Sequence, residues 1–393
     1  MPELMPYPDL PVELEAVRLN RATHPKTAPP RVREATFEDY PQISVLESRY
    51  GLHPKSFEEW KHLWMHNPIC RDLSRWPIGW VCETDDDEVV GFIGNIPLAY
   101  EFDGQPLLAA TSRSLVVDAR YRPYSFSLLG CFFNQKNIDL FLNTSVNEKV
   151  FRLQQLFRAQ RVPSGRWDRS SFWITNYRGF TASVLEKSGF LGSQALSYPV
   201  SAGLFFRDEL TGKGLRREGD KVETQCCTQF DERFDIFWQR LRSESRGRLL
   251  AVRTCDFLNW HFKYSLAKND AWVFTISDEN GISAYGVFCR QDNPTFRLSR
   301  MRLTDFQALW GHEDLLKPIL VCALERCQRE GIHMLEAVGF SSEKQSLIEN
   351  LASHRRELSA WRYFYKADEP YLAASLAHPQ AWDPTCYDGD CSL

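Results

Sequence analysis

The sequence predicts an α/β fold with mixed α+β sheets, built as two tandem units, and three observations predict it. The chain has 393 residues, the length of two ordinary domains rather than of one core. One order of motifs (aromatic helix, hairpin, strand, helix, strand, helix) occurs twice along it. Helical and strand-like stretches alternate inside each copy, the pattern of a sheet flanked by helices.

The repeat can be followed element by element. Phe57, Trp60 and Trp64 are spaced i, i+3, i+7, and Phe257, Trp260 and Tyr264 repeat that spacing, so each set forms a stripe on one helix face. A strand-like run at Trp80-Val81 meets a polar turn at Asp85-Asp86-Asp87 and returns through Val90-Gly91-Phe92-Ile93. Its counterpart runs from Trp272-Val273 through Asp278-Glu279-Asn280-Gly281 to Tyr285-Gly286-Val287-Phe288, and both read as hairpins. The strand Ser112 to Asp118 aligns with Ser299 to Asp305, with hydroxyl, guanidinium and carboxylate in the same places. A helix, a strand and a second helix at 126–136, 138–143 and 145–158 then match 313–330, 332–338 and 342–354.

Composition places the edges. Residues 1–30 are a Pro-rich arm, and the units are 31–205 and 225–370. Residues 206–224, with Gly212, Gly214 and Gly219, are a linker, and 371–393 are a tail. A formal net charge of -4 with interspersed signs argues against nucleic acid and against an anionic membrane surface as partners. The 11 cysteines include no C-x-x-C pair and no His partners at ligand spacing, so no disulfide framework and no metal are expected, and reduced thiols fit a cytoplasmic protein. The start has neither the basic nor the apolar stretch of a signal peptide. Apolar runs such as Ile319 to Leu324 fall far short of the ~20 residues that cross a bilayer.

Two stretches carry a resemblance. In Val32-Arg33-Glu34-Ala35-Thr36-Phe37-Glu38-Asp39 a strand leads into a helix whose free amides Thr36 can cap and whose dipole Glu38 and Asp39 oppose. In Val117-Asp118-Ala119-Arg120-Tyr121-Arg122-Pro123-Tyr124-Ser125-Phe126-Ser127 a strand passes through a loop into a helix N-terminus, where backbone amides can gather a phosphate. With the repeated element order, these stretches resemble the Gcn5-related N-acetyltransferase superfamily, and within it tandem acyltransferases encoded with polysaccharide or secondary-metabolite pathways. That superfamily's loop reads Gln or Arg, two residues, Gly, one residue, Gly or Ala. Arg122 fits the first position, Ser125 and Ser127 stand at the small positions, and Pro123 removes one amide donor.

The resemblance implies that Val116, Val117, Arg120, Arg122, Tyr124, Ser125, Phe126 and Ser127 bind acetyl- or acyl-coenzyme A, with Asn147 on the pantetheine arm. Where the superfamily often has a proton-donating Tyr seven residues later, residue 154 is Gln. Tyr177, in a stretch 172–190 read as an addition near the substrate opening, is then the candidate proton donor. In the second copy Asp305 is followed by Phe306-Gln307-Ala308-Leu309-Trp310-Gly311, without an arginine or the loop spacing, so no cofactor is expected there. Some tandem members, of the enhanced-intracellular-survival type, use their terminal carboxylate as a base in the first domain. This chain resembles them in domain order though not in tail sequence, which implies roles for Asp388 and Leu393 in the tail from Trp382. Trp382 and Tyr387 are costly to leave in water, and Asp388-Gly389 can turn the chain end inward.

The function expected is transfer of an acetyl or longer acyl group from coenzyme A, or from an acyl carrier protein, to an amine or hydroxyl of a small metabolite or sugar. The alternative is a catalytically silent tandem scaffold that binds a ligand or partner between its domains. A Fem-type aminoacyl transferase also pairs two such domains, but it needs a basic stripe for transfer RNA and the sequence has none.

Overall fold

A computed structural model describes residues 29–71, 75–146, 148–165, 167–189, 193–210, 222–358 and 361–393. The first half forms β1 (Arg31–Glu34), α1 (Tyr40–Arg49), α2 (Phe57–Met65), β2 (Gly79–Glu83), β3 (Val89–Phe102), β4 (Gln105–Val117), α3 (Ser125–Phe133), β5 (Leu140–Asn143), α4 (Glu148–Leu156), β6 (Gln160–Arg161), β7 (Arg169–Ile174), α5 (Tyr177–Lys187) and α6 (Ser193–Leu210). The second half adds β8 (Gln225–Cys227), α7 (Glu232–Glu244), β9 (Leu249–Ala251), α8 (Cys255–Ala267), β10 (Ala271–Asp278), β11 (Gly281–Arg290), β12 (Arg300–Ala308), α9 (Leu316–Arg329), β13 (Met334–Ala337), α10 (Ser342–Leu351), β14 (His354–Glu357), β15 (Phe364–Lys366) and α11 (Pro370–Leu376).

These strands make two mixed sheets. The first runs β1-β2-β3-β4-β5-β15-β6, with β9 also on β3, and the second runs β14-β7-β13-β12-β11-β10-β8. The order shows a reciprocal exchange. β15, from the second half, inserts antiparallel beside β5, and β7, from the first half, inserts antiparallel beside β13. The division at 31–205 and 225–370 therefore follows the chain but not the sheets. The stretch 172–190 is likewise not an addition at the substrate opening, because β7 is an interior strand of the second sheet, paired on both sides. Residues 206–210 of the expected linker are the last turn of α6, while most of that linker, and residues 1–28 of the arm, lie outside the described residues.

The aromatic stripes explain how the halves meet. A capping box starts α2, where the Ser56 N–H donates to Glu59 at 3.1 Å and the Glu59 N–H donates to the Ser56 hydroxyl. Its buried face then meets α8. His62 donates from Nε2 to the Trp260 carbonyl at 2.9 Å, and Trp260 donates from Nε1 to the His62 carbonyl at 3.2 Å. Matching helices of the two copies thus contact each other reciprocally. Trp60, Trp64, Phe234, Phe237, Trp260 and Phe262 join one apolar core between the sheets. α3 covers the outer face of the first sheet, and α9 that of the second.

The repeat is present, but one of its registers shifts. β4 aligns beside β5 from Ala109, and β12 aligns beside β13 from Arg300, so Ser112 does not match Ser299. The β3–β4 hairpin is longer than β11–β12, and similar residue types at different heights produced the apparent alignment.

Candidate active site

The site begins where two parallel strands part. β4 pairs with β5 only over Ala109–Thr111. Beyond that point the register of β4 on β3 shifts between Phe92 and Gly94, and Ser114 takes φ 55°. Such a bulge bends and twists its strand. The edge of β4 from Ser112 onward is left without a strand partner on the β5 side. At the crotch, the Ser112 hydroxyl donates to Asn143 Oδ1, and Asn143 Nδ2 donates to Gln154 at 2.7 Å. A cleft of ≈ 360 Å³ opens there, bordered by Glu47, His53, Arg113, Thr144, Gln154 and Asp390. A larger groove of ≈ 670 Å³ lies elsewhere, near Glu101, Arg242 and Arg248.

The tail runs into this cleft. Trp382, Cys386 and Tyr387 are buried, and the Tyr387 hydroxyl donates to the Val252 carbonyl at 2.8 Å. Gly389 has φ 77°, and a Cβ there would lie 2.3 Å from Thr144 Cγ2, so the turn needs glycine both for its dihedral and for its approach to the end of β5. Ser392 donates to the Cys386 carbonyl at 2.9 Å, which commits its one hydroxyl hydrogen; His261 Nε2, at 2.7 Å, must then be the donor to that oxygen. Burial pushes the His261 imidazole down to about 3, with the cations Lys55 and Arg253 adding to the effect against Asp305. The chain ends with the Leu393 carboxylate accepting from Arg113 at 2.9 Å.

The other tail acid has a different place. Asp388 accepts from the Thr385 N–H at 2.7 Å and from the Tyr100 hydroxyl at 3.2 Å, and it lies 3.5 Å from Arg253. Burial raises its pKa against the pull of Arg253. Asp388 therefore belongs to a buried network that fixes the tail and is not a border residue of the cleft, contrary to the role expected for it. Arg253 is fully buried and forks onto Asp305 at 2.9 and 3.1 Å, and Thr385 donates to Asp305 at 2.8 Å. Burial works against the Asp305 charge; the Arg253 guanidinium and the surrounding hydroxyls outweigh it and hold the pKa below the usual range. Asp390, not Asp388, faces the cleft, bonded to the Thr144 hydroxyl, with its pKa raised by burial.

The loop expected to bind phosphate has a definite geometry. Ala119–Tyr124 is a 3₁₀ turn that feeds directly into α3. The Ala119 N–H donates to the Tyr50 hydroxyl at 2.8 Å, and the Ser125 N–H donates to the Arg122 and Pro123 carbonyls. The Ser125 amide is thus committed, and it was one of the donors expected for phosphate. Arg122 and Ser127 are exposed, and the Arg122 guanidinium has no hydrogen bond or ion pair among the described residues. Arg120 lies over the Tyr121 ring, and Tyr124 packs on the outer core. Phe126 is exposed, with its ring 4.9 Å from that of Phe157. Val116 and Val117 are buried in the ladder with β3, at the far end of the open edge.

Tyr177 is elsewhere. It begins α5 beside the second sheet, packs with Phe172, Ile174 and Met334, and donates to Asp208 at 3.1 Å. Burial first, then the Asp208 charge, raises its pKa. This tyrosine ties α5 to α6 and is not brought to the cleft, which corrects the proton-donor expectation. Asn147 lies outside the described residues. Sequence reasoning missed Glu47, Arg113 and Asp390. Arg113 carried a signal, a guanidinium inside an otherwise apolar strand; Glu47 is one acid on an ordinary amphipathic helix and carried none.

The equivalent fork in the second sheet is filled. β12 leaves β13 after Leu303. Past that point Lys344 donates to the Phe306 carbonyl at 2.9 Å and to Asp383 at 2.7 Å, while Thr385 bonds Asp305. Residues of the tail occupy the space that stays open in the first sheet.

No protein-family model matches the chain, and comparison with curated proteins gives no match. Solved structures do match. Saccharomyces cerevisiae N-myristoyltransferase with bound myristoyl-CoA and inhibitors superposes with TM-score 0.56 at 12% identity, over 88% of this chain and 82% of that one. A GCN5-related N-acetyltransferase from Anabaena variabilis gives TM-score 0.50 at 12% identity, over 86% and 72%. A probable N-acyltransferase from Enterococcus faecalis gives 0.51 at 11%, over 86% and 72%. Together with two mixed sheets, each forked at the parallel strand pair, these similarities show that the chain has the Gcn5-related N-acetyltransferase superfamily fold, twice in one polypeptide.

Proposed function

We propose that the protein is an N-acyltransferase that takes its acyl group from acyl-coenzyme A in the first-half fork and uses the Leu393 carboxylate as the base. The observation that carries this reading is the terminal carboxylate held by Arg113 at the border of the open fork. A bound acyl thioester would supply an activated carbonyl. The open edge of β4 near Val116 and Val117 offers backbone N–H donors to the oxygen on which charge develops. The carboxylate accepts one proton from the acceptor ammonium and releases it to solvent, and the neutral amine nitrogen then attacks the thioester carbonyl. The amide forms as the carbon–sulfur bond breaks, and the second nitrogen proton leaves with the free thiol. Arg122, exposed at the entrance to α3, would meet the phosphates, and the helix N-terminus would add its dipole. The committed Ser125 amide favours the silent-scaffold reading, since it removes one donor.

Calorimetric titration of the full chain with acetyl-CoA and with myristoyl-CoA tests the proposal. Binding of either is expected, and Arg122→Ala should weaken it by roughly tenfold or more through loss of a charge-assisted contact. Absence of binding by both donors would refute the enzyme reading. Fork binding with an unaffected Arg122→Ala variant would refute the phosphate assignment alone.

A further inference from the structure

Glu47 stands apart from every other buried acid. It lies in the last turn of α1, 3% exposed, and has no hydrogen bond or ion pair to its side chain among the described residues. The remaining buried carboxylates all face cations: Asp39 and Glu83 face Arg33, Glu101 faces Arg242, Asp305 and Asp388 face Arg253, Glu336 faces Arg302, Glu349 faces Arg169, and Asp208 faces Arg207. An ionised carboxylate out of water without a partner is costly. A negative group near a helix C-terminus also opposes the dipole, so α1 gains nothing locally from it.

Glu47 borders the active-site cleft, and so does Asp390, whose partner there is a neutral hydroxyl. Counting the Leu393 carboxylate, three acids meet one bordering guanidinium, that of Arg113. Lys55 is near Arg113 but does not border the cleft, and burial followed by repulsion from Arg113 pushes it down to about 8. At the border itself the carboxyl groups outnumber the guanidinium, and Lys55 is the nearest further cation.

Resting on the acyltransferase reading, we propose that Glu47 is the specificity-determining residue for the acceptor, and that the acceptor enters as an ammonium ion. The carboxylate binds the cation, which delivers the amine to Leu393 for deprotonation. A neutral hydroxyl acceptor leaves Glu47 uncompensated and is rejected on that ground. Glu47 thus acts on the amine acceptor already proposed, by selecting its protonated form. The position also accounts for the helix end: the Glu47 carbonyl accepts the amides of Tyr50 and Leu52, which fixes the loop at the mouth of the cleft.

The test compares butylammonium chloride with butanol, two probes alike in shape but not in charge, by calorimetry on the full chain. The ammonium is expected to bind at least tenfold more tightly. Glu47→Gln should remove the difference while its melting temperature stays level or rises, since an uncompensated acid has been neutralised; a structural role would instead lower it. Glu47→Asp, which keeps the charge, should retain the preference. Equal binding of the two probes, or a preference that survives Glu47→Gln, overturns the proposal. Acyl-CoA titration of the same unmodified protein separates the two readings: acyl-CoA binding without ammonium preference sinks this inference only, and ammonium preference without acyl-CoA binding sinks the acyltransferase reading.

Discussion

Removing Leu393 alone is the most direct probe of the terminal carboxylate. Ser392 remains fixed by His261 at 2.7 Å and by the Cys386 carbonyl at 2.9 Å, so the new carboxylate sits on residue 392. It is then one residue back along the chain, about 3.3–3.6 Å for an extended link. The 2.9 Å bond from Arg113 cannot survive that retreat. A hydrogen bond to a charged group contributes about 1.5–3 kcal/mol, which at about 1.4 kcal/mol per decade corresponds to roughly a 10- to 150-fold loss in kcat/KM. The assay is thiol release from acetyl-CoA or myristoyl-CoA with butylamine as acceptor, alongside calorimetry of the acyl-CoA. Donor affinity should be preserved, because no phosphate contact has changed. Undiminished transfer in a folded variant would refute the catalytic role of the chain end. Truncation from Asp383 is less informative, since it also strips Thr385 and Asp388 from Arg253 and Asp305 and so confounds chemistry with folding.

Two further outcomes follow from the buried groups around the tail. His261 has its folded pKa depressed to about 3, below the unfolded value, so its neutral form contributes stability above pH 6.5 that is lost as pH falls toward 3. The loss is about 1.4 kcal/mol per pH unit, and chemical denaturation at stepped pH should show a shallower acid dependence in His261→Gln; an unchanged slope would exclude His261 as the source. Arg253→Met leaves Asp305 and Asp388 without their buried cation, which should cost about 3–5 kcal/mol, and adding Asp305→Asn should recover part of it in thermal melts; a single variant as stable as the parent would show that the network is not needed to hold the tail.

The parts of this structure that were legible in the sequence are those encoded locally. Stripes such as Phe57-Trp60-Trp64 and turns such as Asp278 to Gly281 declare helix and hairpin within a few residues of themselves. Tail docking was legible for the same reason, since Trp382 and Tyr387 require burial and Gly389 permits the turn. Partnership between distant strands was not legible, because β7 and β15 have ordinary strand compositions whichever sheet receives them. That is why Tyr177 was assigned to the wrong neighbourhood and Asp388 was preferred to Asp390 two residues on. Glu47 escaped notice because an exposed and a buried glutamate look alike in a sequence; only the helix's packing distinguishes them.

The strand exchange bears on how the chain reaches this state during synthesis. Phe364 pairs with Asn143, a link that spans more than half of the chain. Until β15 emerges from the ribosome, the first sheet exposes an unpaired edge at β5, and β7 waits for β13. Open edges of this kind are templates for pairing with the wrong chain, and closure across long separations is slow. Neither half can therefore complete itself as a cotranslational unit, and the open edges at β5 and β7 wait for β15 and β13. The same late step carries Leu393 to Arg113, so the proposed catalytic group reaches its place only after the exchanged strands have joined their sheets.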